Sequence, residues 1–193
     1  MIPIRISGVL AGVALMSALV LQGCITEEEK LMQEVMRQVP ELGTYGNDSL
    51  AVEKLERLGP RALPYVAEAL LKPDVTPAQR FWLISVLRGI RDRRAIPALV
   101  KVADASPVAE VTEDIVKADE GPEKISLRAR RAIAWILDPT PGRFGPYHSS
   151  FPDPYPPETV AVQKSYYTNL NAWYVKWRPT YDESEYLSVS PRP

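Results

Sequence analysis

The sequence predicts an all-α fold: a short solenoid of paired helices, extended by a Pro/aromatic-rich C-terminal segment that ends in a capping helix. Three observations predict it. Apolar residues recur at helical spacing in segments punctuated by proline and glycine. Arg61-Ala62-Leu63-Pro64 returns as Arg94-Ala95-Ile96-Pro97, 33 residues later, and a two-helix unit repeating at that interval buries its apolar faces only by stacking on neighbours. The end of the chain then changes character. Residues 138–193 hold 10 of the 19 prolines and 11 of the 16 aromatics, so the repeat stops there.

Composition narrows the function classes. With 193 residues, 46% hydrophobic and 24% charged, the chain can bury one core. Lys+Arg number 23 against 24 Asp+Glu, a net charge of −1, so the basic excess that holds a polyanion is missing and no nucleic-acid partner is expected. One cysteine excludes an intramolecular disulfide and a thiolate-only metal cage. One histidine leaves little material for His-based catalysis. No catalytic residue, metal or cofactor is expected.

Residues 1–23 read as an address. Arg5 precedes an uncharged apolar run, Ile6–Leu21, whose 16 residues fall short of the roughly 20 that span a bilayer. A basic residue, an apolar run and a small residue, in that order, make a secretory signal. The run ends in Leu21-Gln22-Gly23-Cys24, which resembles the lipobox of bacterial lipoproteins. That resemblance implies lipidation of the Cys24 thiol, which becomes the mature N-terminus. Gln22 is the less usual residue at its position. Several acyl chains, each buried CH₂ contributing about 0.8 kcal/mol, would hold the protein on a lipid bilayer. Ile25 in place of Asp resembles the outer-membrane class under the sorting rule of enteric-type bacteria. Removing residues 1–23 takes away only Arg5 and leaves a net charge of −2, so the anchor alone draws the body to the membrane.

The body follows at once. Residues 24–47 hold a first helix and a link: Thr26 with Glu29 fits a capping box, Leu31, Val35 and Val39 mark a stripe, and Pro40 ends it. Residues 48–137 form the repeat domain. Asp48 or Ser49 caps a helix that closes at Gly59-Pro60, and a second helix runs over 61–71 to Pro73. Thr76 with Pro77 opens a helix over 77–90, and a short Arg-Asp-Arg turn leads into the next. A third unit shows its first helix at 125–137. Between them, residues 105–124 form an acidic, poorly periodic insertion, read as a solvated loop or irregular helix, whose spacing does not match a calcium loop.

The segment LRGIRDRRAIPALVKVAD, residues 87–104, resembles the short bacterial HEAT-like repeat of the phycobilin-lyase type. The resemblance covers roughly residues 48–137. It implies architecture, and the lyase activity is not carried over to an exported protein.

In the tail, PTPGRFGPYHSSFPDPYPP cannot be regular helix, because its prolines remove donors. A helix over about 158–177 places Val162, Tyr166, Leu170, Trp173 and Trp177 on one face, ready to cap the stack. Residues 179–193 read as loose.

Three groups stand out as chemistry. His148 with Ser149, Ser150 and Asp153 lies in one Pro-rich loop; a triad needs an oriented base and an oxyanion hole, so this is read as solvated loop. Arg88, Arg91, Arg93 and Arg94 cluster around one inter-helix turn, with Arg128, Arg130 and Arg131 on the next unit. They either pair within the stack, with Asp92 and Asp104 nearby, or form a basic stripe for an acidic partner. Tyr167, Tyr174 and Tyr181 recur every seven residues as a candidate second stripe, off the main face. The expectation is a membrane-anchored, non-catalytic scaffold of the cell envelope that holds an envelope protein. The alternative is a lipoprotein binding cell-wall glycan or proline-rich peptide through the aromatic helix.

Overall fold

The computed structural model describes residues 25–44, 48–118, 121–145 and 157–187. Cys24, the lipobox and the His148 loop lie outside the described residues, as do Asp119 and Glu120 of the insertion. The described chain is all-helical: α1 (Glu27–Gln38), α2 (Asp48–Leu58), α3 (Leu63–Leu71), α4 (Pro77–Ile90), α5 (Ile96–Ala105), α6 (Glu113–Lys117), α7 (Pro122–Leu137), α8 (Pro157–Trp177) and α9 (Glu183–Leu187).

Local chemistry sets the helix starts. The Glu29 N–H donates to Thr26 Oγ1 at 3.1 Å while the Thr26 N–H donates to Glu29 Oε2 at 2.8 Å, so α1 opens on a complete capping box. Thr76 and Gln79 repeat the device at α4, at 3.2 and 3.0 Å, with Pro77 at the first helical position. At α3 and α5 the proline does the same work behind a 3₁₀ turn, Gly59–Arg61 and Arg93–Ala95 respectively. The repeated Arg-Ala-Leu/Ile-Pro thus opens a helix behind a 3₁₀ turn both times, with Gly59 the left-handed residue of the first turn and Arg91 that of the second.

Packing runs mainly between neighbouring helix units. Helix α4 lies against α2 and α3, α5 lies against α3, and α7 packs on both α4 and α5. The main core runs through these helices, with Leu55, Val66, Leu87, Leu99 and Ile133 fully buried. Each such side chain contributes roughly 1.5–3 kcal/mol by leaving water. Helix α8 then packs on α7 and α6, and α9 on α5.

Three sequence expectations need correction. The 105–124 segment, read as a solvated loop or irregular helix, carries the short helix α6 and is not wholly solvated among its described residues. Val108, Val111 and Val116 are buried in a second cluster with Leu127, Val160, Tyr167 and Leu170. The valines are too irregularly spaced to advertise a face, yet each reaches apolar surface on α7 or α8. The first helix of the third unit starts at Pro122 rather than 125. Its early turn is held by Lys124, whose buried ammonium donates to the Val116 carbonyl at 2.5 Å and sits 5.0 Å from the Tyr167 ring. Residues 179–187 are not loose: a 3₁₀ turn, Arg178–Thr180, leads into α9, which buries Tyr186 against the main core.

Candidate functional site

The arginines that adjoin one another in sequence part company in space. Arg94 folds back on its own turn. Its Nη2 donates to Asp92 Oδ2 at 2.7 Å and its backbone N–H to Asp92 Oδ1 at 2.9 Å, an ion pair that caps the α4–α5 turn and raises the guanidinium pKa. Arg93 is exposed and lies on the side of the α9 residue Tyr186, whose pKa its charge lowers against the larger, raising effect of burial. Of the cluster, Arg88 and Arg91 remain together.

They are joined from α7. Arg88, Gly89 and Arg91 line an open groove of about 550 Å³ with Glu56 of α2 and with Arg131 and Trp135 of α7. The other two α7 arginines point elsewhere: Arg128 covers the Phe81 ring at 3.4 Å, and Arg130 is 4% exposed and turned toward α8. Three arginines within four residues thus serve three different neighbours, as 100° steps around a helix require.

Two backbone features build the groove. Gly89 leaves room for Glu56: a Cβ there would come within 1.9 Å of Glu56 Oε1. The carboxylate is pressed against the α4 backbone, where burial raises its pKa and the charge of Arg88 pulls it back down. Arg91 ends α4 at φ 57°, ψ 30°, the left-handed conformation in which helices usually place glycine. A side chain here costs about 1 kcal/mol. The guanidinium so placed lies 5.4 Å over the Trp135 ring.

A second hollow of about 370 Å³ adjoins the first, sharing Arg131 and Trp135 and reaching Arg143, Phe144 and Tyr166. Arg143 pairs with Asp138 at 2.9 Å and lies 5.4 Å from the Phe144 and Trp173 rings.

The tyrosine stripe is not a surface. Tyr167 is 1% and Tyr174 3% exposed, and Tyr181 is half-buried between Trp177 and Tyr186. Tyr167 and Tyr174 lie on the inner face of α8, which packs Val160, Gln163, Tyr167, Leu170 and Tyr174 inward, and Tyr181 follows the 3₁₀ turn beyond its end. Tyr166 is buried with them, while Trp173 and Trp177, stacked at 5.6 Å and 12°, are only partly covered. The aromatic residues are spent mainly on one another.

Sequence reasoning missed Glu56, Gly89 and Trp135. Trp135 carried one signal, its i,i+4 spacing from Arg131, which puts both on one helical face. Nothing local links Glu56 to Arg88.

Among the described residues no group of three His, Cys, Asp or Glu side chains is placed to hold a metal, and no helix is long and apolar enough to cross a membrane. Comparison of the chain with protein-family models, curated proteins and solved structures yields no match.

Proposed function

We propose that this protein is a lipid-anchored lipoprotein of the cell envelope whose helix pairs form a short HEAT-like solenoid, acting as a non-catalytic scaffold for another envelope protein. The observation that carries the scaffold reading is the groove at Glu56, Arg88, Arg91, Arg131 and Trp135, a charged and aromatic surface drawn from three helices. The stacking of like-placed helices from unit to unit, α2 on α4, α4 on α7 and α3 on α5, supports the solenoid, with α8 packed on α7 in the place of the third unit's second helix. The anchor rests on Leu21-Gln22-Gly23-Cys24 behind its apolar run. In an organism with an outer membrane, Ile25 favours that membrane.

A photoreactive residue placed at Arg91 in living cells tests the scaffold. One dominant protein adduct is the expected result, and diffuse or glycan adducts would refute it. The anchor is tested separately by detergent-phase partition of Cys24→Ser against the parent chain. Equal partition would rule out lipidation as the membrane tether.

A further inference from the structure

We propose that the groove between α2, the end of α4 and α7 binds an extended acidic polypeptide segment, Arg88, Arg91 and Arg131 taking its carboxylates and Trp135 an adjoining apolar side chain. The inference deepens the scaffold reading and rests on it.

Charge is the first argument. The chain as a whole carries −1, yet the lining of this groove holds three arginines and one glutamate, Glu56. Arginine forks match planar carboxylates in two-point hydrogen bonding. Glu56 rests on Gly89, and the charge of Arg88 lowers its pKa against the larger, raising effect of burial, so an incoming carboxylate has Arg91 and Arg131 as its main partners.

Shape is the second. The hollows of about 550 and about 370 Å³ meet at Arg131 and Trp135, giving a run longer than a single small anion fills. Its far end changes to rings, with Phe144 and Tyr166. Alternating carboxylate and side-chain contacts along such a run suit a polypeptide. A phosphate polymer would need a long-range positive field, which a chain of this net charge lacks.

Backbone strain is the third. Glycine would hold the turn at residue 91 without cost, and an arginine stands there at φ 57°. A strained position that presents a guanidinium beside a tryptophan is what a binding surface requires and a mere turn does not.

The test is fluorescence anisotropy of a fluorescein-labelled peptide of ten glutamates against the full chain in detergent. Saturable binding that weakens with added salt is expected. Arg91→Gly should weaken it by about tenfold while the thermal midpoint holds or rises, because glycine relieves the left-handed residue. Trp135→Ala and Arg131→Gln should also weaken it. Absence of saturable binding, or binding that these variants leave unchanged, would overturn the proposal. So would stronger binding to phosphatidylglycerol vesicles with which the peptide does not compete. A protein adduct from residue 91 in cells without peptide binding sinks the groove assignment alone. Peptide binding without any cellular protein adduct sinks the scaffold reading alone.

Discussion

The Tyr174 hydroxyl donates to Asp104 Oδ1 at 2.8 Å, tying the C-terminal helix α8 to the end of α5 across 70 residues of chain. The other Asp104 oxygen accepts from Arg178 Nε, also at 2.8 Å. Arg130 lies 4.6 Å beneath the Tyr174 ring, donates through Nη2 to the Ala103 carbonyl at 3.1 Å and reaches the Asn171 amide oxygen through Nη1. This polar seam, rather than apolar contact alone, fixes how α8 sits on the helices before it.

Tyr174→Phe keeps the ring and removes the bond to a charged acceptor. Asp104 retains Arg178, so the loss should be about 1–2 kcal/mol in urea melts. An unchanged midpoint would mean that the hydrogen bond contributes nothing to docking α8.

Arg130→Ala should cost more, about 2–4 kcal/mol, because it strands Asn171 and empties a buried volume. Arg130→Lys keeps the charge but has no planar fork, so it should recover only part of that loss. Full recovery by lysine in the same melts would show that charge alone matters at this position.

Alkaline pH should unfold the protein. Burial, followed by the Asp104 hydrogen bond, raises the Tyr174 pKa; burial and the Glu183 charge push Tyr181 up to about 12, and burial raises Tyr186. Each group keeps its proton in the folded state at pH values where the unfolded chain has released it, so stability present below about pH 10 falls as pH rises toward these values. Melts from about pH 9 upward should show this slope, and Tyr174→Phe should flatten it. A slope untouched by that change would assign the effect to other groups.

Gly89→Ala tests the bed on which Glu56 lies. The new methyl displaces the carboxylate, a flexible group, while alanine favours the helix by roughly 0.5–1 kcal/mol. A modest gain in thermal stability is expected, and a marked loss would show that the Glu56 position is structurally required.

The parts of the fold that were legible in the sequence are those settled within a few residues. Thr26 with Glu29, Thr76 with Pro77, and the repeated Arg-Ala-Leu/Ile-Pro set helix starts to within a residue or two, because capping is a contact between near neighbours. The insertion was illegible because Val108, Val111 and Val116 are buried by α7 and α8, not by any period of their own. The tyrosines failed for another reason. A stripe says that three residues share a face, and only packing says which face turns inward. The arginines show the same limit: Arg88 and Arg91 share a groove with Arg131, 40 residues beyond Arg91, while Arg94, three residues away, is occupied with Asp92.

The seam at Tyr174 also bears on how the chain is made. Arg130 and Asp104 emerge from the ribosome well before their acceptors and donors on α8 and beyond, 41 and 70 or more residues downstream. A nascent chain ending at α7 therefore lacks the Asn171 and Tyr174 partners of Arg130 and leaves Val108, Val111 and Leu127 without the cover of Val160, Tyr167 and Leu170. Closure waits for the last helices, which act as a latch on everything translated earlier. A premature stop before residue 157 would thus yield a sticky intermediate for proteases to clear, not a shorter working protein.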